Sequence, residues 1–421
     1  MKKIPSRFVD PFSSTFPIPQ THMNRPVFRF AMSRFLLTAF ILFLFASSVL
    51  SQDRTLFERE ICLAAEYIAE NTAPNGRLAY ERHFTVRMDP VRYNILRHAG
   101  TIYAVHLYEQ EHPEDQTLRA VRLRLSEYLM AHHLREINGG MYTIASKPEE
   151  ESLPEPQAKL GAGGLALIGL SSLAAEGKAD LAVLRGLGEF ILFMQKEDGS
   201  FHSKYLYSTQ DFDPQFHSLY YPGEAALGLL CLHDADPQEK WLLSAKRALL
   251  YLADLRKDQD PVREFDHWAM LATEKLLAKP ENSVTPEEKA RLVFHARQMA
   301  EMILPTQIRK PGSPADGSMG GNIRPCSNGT KMEGLAAIWQ ILHEEDPKYA
   351  DVILDALERL GKFLAKAQIQ EGPLRGGIPA SADWRKPRKK PSRKEIVRID
   401  NVQHIMSGWI NYQKIAEQTK K

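Results

Sequence analysis

The chain has few cysteines, almost no net charge and no uncharged apolar run as long as a membrane-spanning helix. Its three cysteines, Cys62, Cys231 and Cys326, include no Cys-x-x-Cys pair, the spacing typical of a structural zinc site or a redox motif. A formal net charge of +2 over 421 residues gives no reason to expect a nucleic-acid partner. We therefore expect three buried thiols, with one disulfide and one free thiol as the alternative.

The longest apolar run lies near the N-terminus. Phe35 to Leu50 is 16 residues long and uncharged, three arginines precede it, and small residues follow. This is the pattern of a secretory signal, and the run is shorter than the roughly 20 residues of a spanning helix. We predict that residues 1–52 are an extension with a cleaved signal peptide, or an anchor if it is retained. Residues 53–421 would then fold outside the cytoplasm, in the periplasm, in the cell envelope or as a secreted protein.

Glycine-bearing turns recur about every sixty residues, each between two helical stretches. They are Asn75-Gly76, Asn138-Gly139-Gly140, Asp198-Gly199, a degenerate turn from Asp258 to Pro261, Asp316-Gly317 and Glu371-Gly372. A period of this length is typical of repeat architectures. It predicts a single all-α domain in which six helical hairpins close into a ring, with little strand.

Composition separates the helices into two kinds. Gly161 to Ala175 and Gly223 to His233 are rich in glycine and alanine, as crowded inner helices should be, whereas Thr285 to Leu304 is amphipathic. The other predicted inner helices are Asn94 to Glu109, Asp266 to Leu277, Lys331 to Leu342 and Asn401 to Ala416. The basic run from Arg385 to Lys394 is predicted to be a solvated loop, with contact to an anionic polymer or lipid as the alternative.

Ionisable and polar residues stand at the starts of these inner helices, and in a ring they would converge on one mouth of a central cavity. The catalytic candidates are Glu224, Asp266, Asp400 and His98. The candidates for substrate binding are Arg97, Asn94, Tyr221, His267, Trp268, Glu333, Asn401 and His404. Each type of residue also has a structural interpretation, because acids and asparagines cap helices and a histidine can bond a neighbouring turn.

These residue types suit sugar chemistry. Two carboxyl groups across a cleft can cleave a glycosidic bond, and a histidine with a partner can move a proton from a sugar carbon. Aromatic side chains near the mouth can stack on sugar rings. No metal or cofactor is predicted, since the adjacent His132 and His133 cannot share one helical face.

The stretch from Phe190 to Phe201 resembles the QW motif of terpenoid cyclases, with Gln195, three residues, Gly199 and an aromatic residue. Gln368 to Gly372 is a second, poorer copy. On these motifs and the repeat, residues 53–418 resemble the α/α-toroid class. That class includes terpenoid cyclases, prenyltransferase β-subunits, six-hairpin glycosidases, N-acyl-sugar epimerases and alginate-type lyases. The resemblance implies an (α/α)6 or (α/α)7 toroid.

Two departures argue against particular members of that class. The chain has no Asp-x-Asp-Asp motif of the cyclase kind and no Asp-x-Cys pair for a prenyltransferase zinc. The resulting prediction is an exported carbohydrate-active enzyme that acts on a glycan or uronic-acid sugar by acid–base catalysis, as a hydrolase, lyase or epimerase. The partner would be that substrate, with no nucleic acid and with membrane contact only through an uncleaved N-terminal segment. The alternatives are a non-catalytic glycan- or peptide-binding envelope factor and, third, a terpenoid cyclase-like protein.

Overall fold

The computed structural model describes residues 56–259, 264–280 and 283–420. The predicted signal peptide lies outside the described residues, as does part of the degenerate turn from Asp258 to Pro261. Among the described helices, none has both the length and the apolar composition needed to cross a membrane.

In the described part of the chain, twelve helices of 11 to 21 residues alternate between an outer and an inner layer. The outer helices are α1 (Glu58–Glu70), α3 (Gln116–His133), α6 (Leu181–Met194), α8 (Glu239–Arg256), α10 (Pro286–Ile303) and α12 (Pro347–Ala367). The inner helices are α2 (Ile95–Glu111), α5 (Leu160–Ala175), α7 (Tyr221–Ala235), α9 (His267–Leu277), α11 (Pro325–Leu342) and α13 (Ile399–Gln418). A single-turn helix, α4 (Pro148–Glu151), lies between α3 and α5.

The inner helices form a closed ring. Each packs against the next one in chain order, and α13 returns to pack against α2. The six hairpins predicted from the repeat are therefore present, and the all-α toroid is confirmed.

Glycines let two inner helices touch through their backbones. A Cβ atom on Gly164 of α5 would lie 2.4 Å from the carbonyl oxygen of Glu224, and one on Gly228 of α7 would lie 2.5 Å from the carbonyl oxygen of Gly164. Such distances are shorter than any real contact, so only glycine allows α5 and α7 to pack this closely. This packing holds Glu224 in place at the start of α7.

Four of the turn glycines contact the next outer helix. Gly199 has a φ of +92°, and a Cβ atom there would lie 2.7 Å from the Arg247 carbonyl oxygen on α8. The equivalent pairs are Gly76 with Arg124, Gly317 with Arg359 and Gly376 with Leu63. Each turn therefore requires glycine both for its backbone conformation and for the close approach.

A glutamine before each of three turns ties the turn to the following outer helix. The Gln195 side-chain amide donates to the carbonyl oxygens of Gly199 and Ser244, at 3.2 and 3.0 Å. Gln307 makes the same pair of bonds to Gly317 and Ala356, and Gln368 makes it to Gly376 and Glu60. The QW-like motif is a structural clamp between neighbouring hairpins.

The sixth turn differs in detail from the prediction. Gly372 has a φ of +84°, but a Cβ atom there would meet no atom within 4 Å. Gly376, four residues later, makes the contact with α1 and receives the bond from Gln368. The clamp glycine is therefore Gly376, which lies eight residues after Gln368.

Strands are few and short, in agreement with the prediction. Strand β1 (Glu81–Arg82) pairs with β7 (Val397–Arg398). The remaining strands form one antiparallel sheet in chain order, consisting of β2 (Leu134–Ile137), β3 (Met141–Ser146), β4 (Gln157–Lys159), β5 (Lys204–Leu206) and β6 (Asp211–Phe212). The predicted Gly139 turn is the tip of the β2–β3 hairpin.

The three thiols are free, and each is only half-buried. They lie on α1, α7 and α11. The expectation of three buried thiols is thus corrected, because each side chain is partly exposed, and the described residues contain no disulfide.

The segment from Arg385 to Lys394 is a largely exposed loop. Arg385 donates to the backbone carbonyl oxygens of Lys366 and Gln368, and Lys394 lies 3.2 Å from Asp383. These exposed side chains and their contacts within the protein agree with the prediction of a solvated loop.

Candidate active site

A cavity of about 590 Å³ opens where five inner helices begin, a size ordinary for a small-molecule site. Helices α2, α7, α9, α11 and α13 supply most of its wall through residues at or just before their first turns. Nine of the twelve residues singled out from the sequence line it: Asn94, Arg97, Tyr221, Glu224, His267, Trp268, Asp400, Asn401 and His404. Glu333 lies directly behind two of them.

Two histidines and a carboxylate form the floor of this cavity. The Nδ1 atom of His404 donates to Glu333 Oε2 at 2.8 Å, and His267 Nε2 lies 3.6 Å from the same oxygen. The ring centroids of His267 and His404 are 5.3 Å apart with the rings nearly perpendicular. Glu333 is also bonded by the Ser407 hydroxyl, so its carboxylate is held from both sides.

The two histidines have opposite electrostatic environments. Burial lowers the pKa of His267 well below its usual 6.5, and the charges of His404 and Lys331 lower it further. Burial also acts to lower the pKa of His404, but the charge and hydrogen bond of Glu333 outweigh it and the pKa is raised above 6.5. The two rings therefore have pKa values shifted in opposite directions, which favours a neutral base at His267 and a proton donor at His404.

Neither ring nitrogen of His267 has a hydrogen-bond partner, although the side chain is almost fully buried. Buried polar atoms are nearly always satisfied, and exceptions often belong to functional sites. His267 also lines the cavity, which makes this unpaired ring a candidate for contact with a ligand.

The ligand atoms of His267, Glu333 and His404 lie within 4.8 Å of one another, close enough for a metal ion. The only other such group in the described part of the chain is Glu58, Cys62 and His112. His112 follows the C-terminal end of α2, whereas the cavity residue Arg97 lies in its first turn. At the floor, however, the Nδ1 atom and proton of His404 are already engaged by Glu333. The absence of a metal stays a prediction.

Asp400 is held between two arginines at the wall. Its carboxylate lies 2.9 Å from Arg97 Nε, and Arg398 contacts both of its oxygens at 2.6 and 2.8 Å. Burial alone would raise the pKa of Asp400, but the two guanidinium groups lower it below its usual value. The Arg97 guanidinium also bonds the hydroxyl of Tyr80.

Glu224 is the second carboxyl group of the wall. It is 6% exposed, and its Oε2 atom has no hydrogen-bond partner. Burial, with a contribution from the charge of Asp266, raises its pKa to about 8. Gly161 makes room for it, because a Cβ atom there would lie 1.9 Å from Oε2. At neutral pH this carboxyl group is mostly protonated.

The remaining polar positions frame the cavity. Asn94 caps α2 and donates to Glu151 Oε2 at 2.9 Å, and Asn401 donates to the carbonyl oxygen of Ile378 at 3.0 Å. The aromatic rings of Tyr221 and Trp268 line the wall. Trp268 also packs on Tyr103, at 5.8 Å between ring centroids.

The structure places His98 and Asp266 outside the cavity. His98 is completely buried, bonded to the Tyr93 hydroxyl at 2.7 Å and to the carbonyl oxygen of Leu125 on α3 at 2.8 Å. Asp266 caps α9 and lies 3.2 Å from Arg256. Both side chains join an inner helix to its surroundings, so we give neither a role in the chemistry.

Sequence reasoning missed two arginines that line the cavity, Arg324 and Arg398. The predicted start of α11 was Lys331, whereas the helix begins at Pro325. Proline favours the first turn of a helix, so Arg324-Pro325 was the available signal. Arg398 likewise occupies the position directly before a helix, at the start of α13.

A second cavity, of about 520 Å³, lies at the opposite end of the ring. It is lined by the C-terminal halves of inner helices and includes Tyr103 and Glu274. Because Tyr103 packs on Trp268, this aromatic pair stands between the two cavities.

Comparison with known proteins gives matches in structure only. No protein-family model matches the chain, and no curated protein matches its sequence. A D-mannose isomerase superposes with a TM-score of 0.61 at 12% identity, over 85% of this chain and 97% of the isomerase. A sugar epimerase from a ruminal bacterium gives 0.61 at 12%, over 83% and 97%. A family 76 glycoside hydrolase from a bovine Bacteroides thetaiotaomicron strain gives 0.61 at 9%, over 87% and 78%.

At such low identities the likeness establishes the fold. The chain has the (α/α)6 toroid of six-hairpin glycosidase-like proteins, as the sequence resemblance implied, and its structural neighbours are carbohydrate-active enzymes. Those neighbours carry out isomerisation, epimerisation and hydrolysis, so the fold leaves the reaction open.

Proposed function

We propose that the protein is a sugar isomerase or epimerase that moves a proton at the carbon next to a carbonyl group. The observation that carries this proposal is the His267–His404 pair, in which two rings 5.3 Å apart have pKa values shifted in opposite directions. Pairs of titratable groups with divergent pKa values are a mark of acid–base catalysis. The sugar-converting enzymes among the structural neighbours add support.

In the proposed reaction, neutral His267 removes the proton from the carbon beside the carbonyl group. Protonated His404 donates to the carbonyl oxygen, which gives an enediol. If His267 returns its proton to the former carbonyl carbon while the now neutral His404 accepts the proton of the neighbouring hydroxyl group, an aldose becomes a ketose. If instead His404 takes back the proton that it gave to the oxygen, so that the carbonyl group re-forms, and delivers it to the first carbon from the opposite face, that carbon is inverted. His267 then releases its proton to solvent and His404 regains one. No electrons leave the sugar in either case, so the reaction needs no redox cofactor.

Glu333 acts through His404 and not on the sugar. Its carboxylate bonds His404 and the Ser407 hydroxyl, so it fixes the ring and stabilises the charged form. Asp400, held ionised by Arg97 and Arg398, can accept hydrogen bonds from sugar hydroxyl groups. Tyr221 and Trp268 supply apolar surface for the ring carbons.

A second candidate is glycoside hydrolysis. Glu224, with a pKa of about 8, would be a protonated acid, and Asp400, with a lowered pKa, would be an ionised base or nucleophile. One protonated and one ionised carboxyl group is the arrangement that glycosidases use. It ranks second because Asp400 is already engaged by two arginines.

The polar wall argues against the two remaining alternatives. A terpenoid cyclase needs an apolar cavity, whereas three arginines line this one. A binding factor without chemistry would not need two histidines with divergent pKa values.

The test is proton exchange with solvent. The full-length protein would be incubated with aldoses, ketoses and reducing disaccharides in D2O, and deuterium at the carbon next to the carbonyl group would be followed by NMR. Exchange that disappears in His267→Asn and in His404→Asn, but not in the exposed control His132→Asn, would support the proposal. Release of sugars from glycosides without such exchange, lost in Glu224→Gln, would replace it by the hydrolase.

We also propose that the protein is exported, on the apolar run from Phe35 to Leu50. Cell fractionation and N-terminal sequencing of the mature chain would test this. A mature chain that begins near residue 53 outside the cytoplasm is expected, and an intact N-terminus in the cytoplasm would contradict it.

A further inference from the structure

The wall of the active-site cavity carries more positive than negative charge. Its lining includes three arginines, Arg97, Arg324 and Arg398, and two carboxyl groups, those of Glu224 and Asp400. Glu224 is mostly protonated near neutral pH because of its burial. Asp400 is then the one carboxylate of the lining that remains to balance the three guanidinium groups.

Arg324 is the unsatisfied member of this set. Asp400 binds Arg97 and Arg398, whereas the Arg324 guanidinium has no ion pair or hydrogen bond within the described part of the chain. Arg324 is exposed at the mouth, where it precedes α11. An arginine that lines a cavity without a partner is suited to bind a carboxylate or phosphate group.

The helix starts around Arg324 add to the positive potential. Neither α11 nor α13 has a side-chain cap at its N-terminus, and the two helices pack together. Pro325 has no N–H group and the Ile399 N–H donates to the Tyr80 carbonyl oxygen at 3.1 Å. The other N–H groups of the two first turns have no acceptor from an N-cap side chain, and helix N-termini favour anions. Within the same cavity, His267 and Glu224 are almost fully buried and present unpaired polar atoms, so a polar ligand is expected there on independent grounds.

We propose that the substrate is a sugar with an acidic group, a carboxylate or a phosphate, and that Arg324 binds this group at the mouth of the cavity. The position of the reacting carbon in this inference rests on the proposed function, whereas the binding of the acidic group by Arg324 does not. Arg324 stands nine residues before Glu333, which is about 13 Å along a helix axis. The acidic group would thus be at the opposite end of the sugar from the carbonyl carbon that the histidines reach, as in a hexuronate or a hexose 6-phosphate.

The test compares binding by titration calorimetry of the full-length protein with glucuronate, mannose 6-phosphate and neutral mannose. We expect at least one acidic sugar to bind at least tenfold more tightly than mannose, and added salt to weaken that preference. Arg324→Gln should reduce the preference to threefold or less. The matched control is Arg309→Gln, which removes an exposed arginine paired with Asp355 away from the cavity, and it should change nothing.

The two acidic sugars distinguish a carboxylate from a phosphate ligand, and either one would support the inference. Equal binding of acidic and neutral sugars, no binding of either acidic sugar, or an unchanged preference in Arg324→Gln would overturn it. The same samples in D2O separate this from the proposed function. Arg324-dependent binding without proton exchange would refute the isomerase activity and support the anion site. Proton exchange of neutral sugars that is unchanged in Arg324→Gln would support the isomerase activity and refute the anion site.

Discussion

His267 and His404 face each other across the floor of the cavity, with ring centroids 5.3 Å apart and planes at 81°. They come from α9 and α13, helices that are not neighbours in the ring, and Glu333 of α11 lies between them in the ring order. The Glu333 carboxylate that bonds His404 raises the pKa of that ring, whereas burial lowers the pKa of His267. That difference is the physical basis for an acid and a base in one site.

The first prediction concerns the pH dependence of proton exchange. Activity requires neutral His267, whose pKa lies well below 6.5, and protonated His404, whose pKa lies above 6.5. The rate should therefore rise through the low pKa, remain high around pH 6.5 and fall through the high pKa. Exchange rates measured across pH with one sugar would check this, and a single transition centred on 6.5 would contradict the pairing.

The second prediction concerns Glu333→Gln. Glutamine keeps the shape of the side chain but removes the charge that raises the pKa of His404. The pKa of His404, followed by NMR of its ring protons, should fall below 6.5, and the exchange rate at neutral pH should drop by roughly 10² or more. Glu358→Gln, an exposed position paired with Lys362, is the control. An unchanged His404 titration would show that Glu333 has only a packing role.

The third prediction uses two adjacent glycines of α5 that differ in their surroundings. Gly164→Ala would place a Cβ atom 2.4 Å from a backbone oxygen of α7, so it should cost roughly 3 kcal/mol as the helices separate. Gly163→Ala has its nearest neighbour at 3.9 Å and should stabilise the helix by about 1 kcal/mol. Urea unfolding of both variants measures the difference, and equal effects would refute the backbone contact between α5 and α7.

The fourth prediction separates the two glycines of the last turn. Gly372 and Gly376 both have positive φ, at +84° and +82°, so alanine at either one should cost about 1–2 kcal/mol in backbone strain. Only Gly376→Ala also clashes, with its Cβ atom 1.9 Å from the Leu63 carbonyl oxygen. We expect it to lower the free energy of unfolding by about 2 kcal/mol more than Gly372→Ala does. Equal losses of unfolding free energy in the two variants would contradict the assignment of Gly376 as the clamp glycine.

The sequence was sufficient for the ring but not for the orientation of its side chains. A period of about sixty residues and glycine-rich helices predict six hairpins whatever the contacts between them. The starts of α2 and α9, however, each carry two candidates in succession, Arg97-His98 and Asp266-His267. Adjacent residues on a helix point about 100° apart, and in each of these two pairs only one side chain lines the cavity. Which one does so depends on how each helix is rotated in the ring.

The position of α11 shows a second limit. The predicted start at Lys331 followed the apolar pattern, but the helix begins six residues earlier with a polar first turn. Hydrophobic periodicity cannot mark a turn that faces a polar cavity, because polar residues are favoured on that side. Arg324 was therefore missed for this reason, since it precedes a polar turn that faces the cavity.

The ring closes where its first and last helices, α1 and α13, pack together. The Phe57 ring stacks on Trp409 at 6.0 Å, and the Gln413 side chain donates to the carbonyl oxygen of Leu56 at 3.0 Å. In a chain that starts at Leu56, a short linker could therefore join the residue after α13 to Leu56. New ends could be opened at Gly177, an exposed glycine between α5 and α6 whose added Cβ atom would meet no atom within 4 Å. The first and last hairpins would then be joined by a covalent connection, as the other neighbouring hairpins are. A circularly permuted chain would form the same ring from a different starting hairpin.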